Sequence, residues 1–374
     1  MKKYVSVLLA ACMGVSMLLG GCGGSKEAAQ TTAQETAATT AKSSQAEESE
    51  KQEVTEASET AETQENAETS AAQANSSVTI RVGSLKGPTS MGLVKLMDLA
   101  SKGETGNNYE FTMAGKADEL VGKIASGDLD IVLVPANVAS VLYNKTKGNV
   151  TVLDINTLGV LYVVASDDSI TSMADLKGKT IYMTGKGTTP EYAVNYLLAE
   201  NGLETSDVDL QFKSEATEVA SFLKEEPASI GVLPQPFATA ACIQNDALKQ
   251  VLDLTQEWDK LNQDTGSMLV TGVTIVRTDF LAENEAAVKE FLKDHQASTA
   301  FTAENVDEAA ELVAAQGIVE KAPIAKQALP KCNIVCITGQ EMKDALTGYL
   351  SVLNSQDASS IGGSLPGDDF YYMP

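Results

Sequence analysis

Two lysines in matching contexts carry the plainest chemistry of this sequence. Thr180 to Ala199 reads TIYMTGKGTTPEYAVNYLLA, a β-branched and aromatic run that meets a glycine-rich turn and then an amphipathic helix. Earlier, Val78 to Met97 reads VTIRVGSLKGPTSMGLVKLM, so that Lys86-Gly87-Pro88-Thr89 takes the place of Lys186-Gly187-Thr188-Thr189. In both, a strand pattern ends near Gly, a lysine follows, and Ser or Thr stands where a helix should start. A helix N-terminus offers unsatisfied N–H groups and about half a positive charge, so such a turn can hold an anionic or polar group. Two copies in separate lobes imply a cleft lined from both sides.

The elements that would position these turns alternate. Leu93, Leu96, Met97 and Ala100 share one helical face, and Tyr109 to Met113 reads as a strand. Ala117, Leu120, Val121 and Ile124 repeat the helical spacing before Asp130 to Val134, a strand buried on both faces. Asn137 can cap the helix that follows. A second set runs through Thr180 to Thr184, a helix from Pro190, Leu210 to Phe212, a helix from Thr217, and Ser229 to Leu233 ahead of Gln235. This order predicts parallel sheets with helices on both sides. Val150 to Ser166 is too long for one average strand and contains Gly159, while Met268 to Arg277 is long and apolar around Gly272. Two such passages predict one lobe inserted into another and a hinge of two strands. From Leu281 onward the pattern is helical, with Val288, Phe291, Leu292 and His295 on one face and a second helix over Val306 to Ala315. That face makes His295 a packed, hydrogen-bonded core residue. The tail after Gly362 reads as a segment laid against the first lobe.

The N-terminus stands apart. Lys2 and Lys3 precede an apolar run from Val5 to Leu19 that ends in Leu19-Gly20-Gly21-Cys22, a secretory signal. From Ser25 to Ser77 eleven Glu face three Lys and large apolar residues are almost missing, which reads as a disordered acidic spacer. The whole chain carries a formal charge of -24, and so acidic a surface argues against nucleic acid. Cys12 leaves with the signal, and Cys242, Cys332 and Cys336 remain as an odd set that suggests no disulfide framework. With His295 the only histidine and no further soft ligand near them in sequence, Cys332 and Cys336 read as small hydrophobes and no metal or cofactor is expected. The lone histidine also speaks against a Ser-His-Asp site. Lys186 lacks the following Ser or Thr and the earlier Gly of a P-loop.

Several stretches together resemble a family. Leu19 to Cys22 is similar to a bacterial lipobox. Ser172-Met-Ala-Asp-Leu-Lys-Gly-Lys-Thr-Ile181, Gly187-Thr-Thr-Pro-Glu-Tyr-Ala193, Val134-Pro-Ala-Asn-Val-Ala139, Leu142-Tyr-Asn-Lys145, Leu158-Gly-Val-Leu161 and the closing GSLPGDDFYY from Gly363 to Tyr372 resemble solute-binding lipoproteins of ABC importers. The branch they look most like binds nitrate, aliphatic sulfonates, taurine and thiamine-pyrimidine precursors. The resemblance implies an α/β, two-lobed periplasmic-binding-protein fold, each lobe a mostly parallel sheet flanked by helices. Its expected division is a signal peptide over 1–21, a lipidated Cys22 and spacer over 22–77, a first lobe over 78–158 and 266–374, and a second lobe over 159–265. It also implies a monomer held by an acyl (palmitate) anchor at the extracytoplasmic face of the cell membrane, taking a small solute to permease and ATPase subunits. Ser84, Lys86, Thr89, Asn137, Lys186, Thr188, Thr189, Glu215 and Gln235 would then line the cleft at the carboxyl ends of parallel strands. Glu215 is discordant with an anion and would favour an amine, heterocycle or zwitterion. Phe237 and Tyr192 are the nearest aromatic candidates. The alternatives are a surface sensor or adhesion lipoprotein and, against the missing histidines, an enzyme similar to pyrimidine synthases.

Overall fold

Strand and helix patterns alternate from Thr79 onward in the computed structural model, which describes residues 78–374. The signal peptide, Cys12, the Cys22 lipidation site and the acidic spacer lie outside the described residues. The chain begins with β1 (Thr79–Leu85), α1 (Pro88–Met91), α2 (Val94–Ser101), β2 (Asn108–Ala114), α3 (Ala117–Ser126), β3 (Ile131–Pro135), α4 (Ala136–Thr146) and β4 (Val150–Leu158). Next come β5 (Leu161–Ala165), β6 (Thr180–Met183), α5 (Thr189–Glu200), β7 (Asp209–Phe212), α6 (Ala216–Glu225), β8 (Ile230–Pro234), α7 (Phe237–Gln244), β9 (Lys249–Asp253) and α8 (Leu254–Asn262). The chain then returns through β10 (Val270–Arg277), α9 (Thr278–Glu283), α10 (Glu285–Glu304), α11 (Val306–Ala315), α12 (Ala322–Ala328), β11 (Ile334–Ile337) and α13 (Gly339–Gln356).

The strands form two sheets, ordered β11-β4-β10-β3-β1-β2 and β7-β6-β8-β5-β9. In the first, β1 runs parallel to β2 and β3; in the second, β6 runs parallel to β7 and β8. β1, β2 and β3 thus stand in the same order as β6, β7 and β8, so the two lysine turns leave equivalent strands. Strands β10 and β5 run antiparallel to β3 and β8, because each lies on a passage between the lobes.

The first passage is nearly continuous strand. Only Gly159 and Val160 separate β4 in one sheet from β5 in the other. The return leaves α8 and crosses residues 263–269 before β10 begins. Gly159 is needed at this crossing, since a Cβ there would lie 2.2 Å from Thr255 Oγ1 and 2.8 Å from Leu269 Cδ2 on the returning chain.

Burial explains the local choices. All but the last residue of β3 are buried aliphatics, the composition of a central strand covered on both faces. Helix α3 keeps Asp118 and Glu119 in its first turn and Lys123 in its last, matching its dipole, and stops at Gly127 in the left-handed conformation. Trp258 is fully buried between the rings of Tyr196 and Tyr349, which joins α5, α8 and α13 into one packed face.

The helix read over Leu93 to Ala100 is α2, with Leu93 at its N-cap, and a separate one-turn helix, α1, precedes it. One expectation needs correcting. The region after Leu281 is not helical throughout. Ile334-Val335-Cys336-Ile337 is an apolar, β-branched run, and it pairs antiparallel with β4 at the sheet edge. The tail does lie on the first lobe: Tyr372 N–H donates to Val152 O at 2.9 Å, and Phe370 is buried with its ring 5.0 Å from that of Tyr143.

Candidate functional site

The parallel strands β1 and β3 of one sheet and β6 and β8 of the other end in the turns that carry the candidate residues. Ser84, Lys86 and Thr89 stand at the end of β1, and Asn137 opens α4 after the neighbouring β3. In the other sheet Lys186, Thr188 and Thr189 follow β6, and Gln235 follows its neighbour β8. Thr189 Oγ1 donates to Asn137 Oδ1 at 3.1 Å, a direct bond between the lobes. Asn137 Nδ2 in turn donates to Ser360 O at 3.3 Å.

The side chains divide into those that build the turns and those left free. Ser84 is buried with its hydroxyl 2.6 Å from that of Ser90, and Thr89 Oγ1 donates to Leu85 O at 2.9 Å. These hydroxyls fold the Lys86 turn back on its own strand. Thr89 packs so closely on β10 that a Cβ at Gly272 would lie 2.6 Å from its methyl group and 2.5 Å from Asn156 Oδ1. In the second lobe Thr188 Oγ1 donates to Gly185 O at 2.6 Å, and the Gly187 N–H donates to the Glu191 carboxylate. Gly185 and Gly187 both take positive φ, the conformation that keeps this turn open.

Lys86 and Lys186 are exposed, and among the described residues neither forms an ion pair. Lys186 Nζ lies 5.7 Å from the centre of the Phe212 ring, and Lys213 Nζ sits 5.7 Å and 5.2 Å from the Tyr182 and Phe222 rings. Glu215, in the turn after β7, is exposed with Oε2 3.4 Å from Thr217 Oγ1. Gln235 is buried: its Oε1 accepts from Thr239 at 2.8 Å and its Nε2 donates to Gln250 Oε1 at 3.3 Å. It therefore braces β8 rather than facing solvent. Of the aromatic candidates, Tyr192 donates to Asp357 Oδ2 at 3.0 Å, whereas Phe237 packs in the second-lobe core.

Contacts that periodicity could not show come from the C-terminal third. Gln356 Nε2 donates to Tyr192 O at 3.0 Å, and Lys331 Nζ donates to Gln250 Oε1 at 2.9 Å, so helix α13 and the segment before β11 both reach the second lobe. The Tyr349 hydroxyl is buried close to Thr189 without a hydrogen bond of acceptable geometry, and burial pushes its pKa up. Ser172 and Asp175 form a reciprocal capping box before β6, which accounts locally for the Ser172 to Ile181 stretch.

Residues 99–318 match the family model described as ABC transporter, phosphonate, periplasmic substrate-binding protein. The chain belongs to this family. It is the periplasmic substrate-binding component of an ABC importer, with the α/β two-sheet architecture expected from its sequence. An ABC transporter structure from Parabacteroides distasonis is 21% identical with a TM-score of 0.67, covering 79% of this chain and 99% of that one. The periplasmic aliphatic sulphonate binding protein SsuA from Escherichia coli is 15% identical with a TM-score of 0.63, covering 79% and 92%. A binding protein of Brucella abortus (strain 2308) is 23% identical over 236 residues, 62% of this chain and 69% of its own. At these identities the solved structures establish the fold alone. Among the described residues no helix is long and apolar enough to cross a membrane.

Proposed function

We propose that this chain is a lipid-anchored, extracytoplasmic capture protein that closes two lobes on a small oxyanion of the phosphonate or sulfonate type. It then hands that solute to permease and ATPase subunits. The lobes are 78–158 with 266–374, and 159–265, and the protein works as a monomer without catalytic chemistry. Supporting the reading most directly is the 3.1 Å bond from Thr189, which starts α5 after the β6 turn, to Asn137, which opens α4 after β3, the strand paired with β1 and its equivalent turn. Lys86 and Lys186 supply charge from opposite sides. Thr188, Thr189 and Asn137 give polar contacts, Ser84, Thr89 and Gln235 hold the turns, and Glu215 stands at the rim, where solvent screens it. The resemblance of Leu19 to Cys22 to a lipobox supports the anchor, and residues 25–77 would act as its tether.

A thermal-shift screen over alkylphosphonates, alkanesulfonates, nitrate, pyrimidines and amino acids tests this reading. A ligand at about 100 times its Kd should stabilise the protein by about 2.7 kcal/mol. Phosphonates or sulfonates should shift the melt; silence across the whole panel would overturn solute capture and favour a sensor or adhesion role. Cys22→Ser should move the protein from the membrane fraction to the soluble one, and unchanged fractionation would remove the anchor.

A further inference from the structure

Asp154 on β4, His295 on α10 and Cys336 on β11 are far apart in sequence, yet a carboxylate oxygen, a ring nitrogen and the thiol sulfur lie within 4.8 Å of one another. We propose that these three residues form a binding site for a zinc-class divalent cation, which clamps α10 and the edge strand β11 to the strand that leads into the hinge.

The donor set is one that zinc favours: one oxygen, one imidazole nitrogen and one sulfur, with a fourth position left for water. Asp154 Oδ2 stands 3.1 Å from His295 Nδ1. The edge of a tetrahedral zinc site between oxygen and nitrogen is about 3.4 Å, given bonds of roughly 2.0–2.2 Å, so this pair is nearly in place. Cys336 Sγ lies within 4.8 Å of both atoms, and the edge to sulfur in such a site is about 3.5 Å, a difference that a rotamer change on an edge strand can supply.

The surroundings orient the ligands as an outer layer would. Asp154 Oδ1 accepts from Thr274 Oγ1 at 2.8 Å, and Thr274 accepts from Asn156 Nδ2 at 3.1 Å. Asp154, Thr274 and His295 are all fully buried, whereas Cys336 is only half-buried and offers the route of entry. Among the described residues no lysine or arginine pairs with Asp154, whose Oδ2 faces the His295 ring. A buried carboxylate that lacks a full counter-charge is costly, and a divalent cation with one carboxylate and one thiolate leaves the site neutral. His295 Nε2 has no hydrogen-bond partner, so no second contact fixes the tautomer. The ring can therefore carry its proton on Nε2 and offer Nδ1 to the metal. Binding releases the Cys336 thiol proton to solvent.

The purified full-length protein titrated with cobalt(II) decides the matter, because a cobalt–thiolate bond absorbs by charge transfer. The band should saturate at one equivalent, disappear on adding zinc(II), be lost in Cys336→Ser and persist in Cys242→Ser. Zinc(II) should also raise the melting temperature of the wild type and leave that of Cys336→Ser unchanged. No saturable band, or a band that survives in Cys336→Ser, would overturn the site. None of these readouts depends on the transported solute.

Discussion

Replacing Gly159 by alanine perturbs the narrowest point of the passage between the lobes. Its backbone is not in the left-handed region, so the cost is one of space. The added Cβ would lie 2.2 Å from Thr255 Oγ1, 2.8 Å from Leu269 Cδ2 and 3.0 Å from Leu269 Cγ. Thr255 cannot move freely, because it is buried and its hydroxyl lies 3.4 Å from Asn333 Nδ2, the same group that donates to Gly159 O at 2.6 Å. Overpacking of this kind costs about 1–3 kcal/mol, and the lower entropy of alanine in the unfolded chain returns roughly 0.4–1. A net loss of about 1–2 kcal/mol should lower the melting temperature by roughly 2–8 °C in scanning calorimetry. Gly159→Ala combined with Thr255→Ala should lose less than the sum of the two single changes, by at least about 0.5 kcal/mol, since the nearest clash is gone. If Gly159→Ala melts within about 1 °C of wild type, or the double variant is additive, the close approach of the two passages at Gly159 is refuted.

Two further outcomes follow from contacts of the C-terminal third. Hydrogen bonds from Ser359, then from Tyr192, hold the Asp357 carboxyl below its ordinary value of 3.8. The stability it contributes is complete above that value and is lost as pH falls through the lower folded one. The melting difference between wild type and Asp357→Asn should therefore stay constant from neutral pH to about 5 and shrink below about 4; a difference unchanged at about pH 3 would contradict the clasp between Tyr192 and Asp357. Phe370→Ala empties a fully buried site beside Tyr143 and Tyr371 and should cost about 3–5 kcal/mol, seen as a drop in the denaturation midpoint. A midpoint near wild type would mean that the tail does not anchor on the first lobe.

Much of the architecture was legible in the sequence because period and composition agreed. The buried run Ile131–Val134 and the helical stripe of Val306–Ala315 fall where expected, and the long stretch around Gly159 does leave one sheet for the other. Strand β11 was hidden because four residues inside a helical region give no period, and only its partner β4 makes it a strand. The site was legible in part. The strand-then-helix order placed Asn137 and Thr189 at helix starts after their strands, but whether Ser84 or Gln235 points outward depends on contacts with Ser90, Thr239 and Gln250 that periodicity does not carry. The approach of Asp154, His295 and Cys336 spans three elements, and spacing carries no trace of it.

Affinity measured on both faces of the cleft tests solute capture most directly. Titration calorimetry with the strongest phosphonate or sulfonate from the screen should be run on wild type, Lys86→Ala and Lys186→Ala. A charge-assisted contact contributes about 1.5–3 kcal/mol, so each variant should bind roughly 10- to 150-fold more weakly with the melting temperature of the unliganded protein unchanged. Wild-type affinity in both variants would contradict a solute held between the two lysine turns.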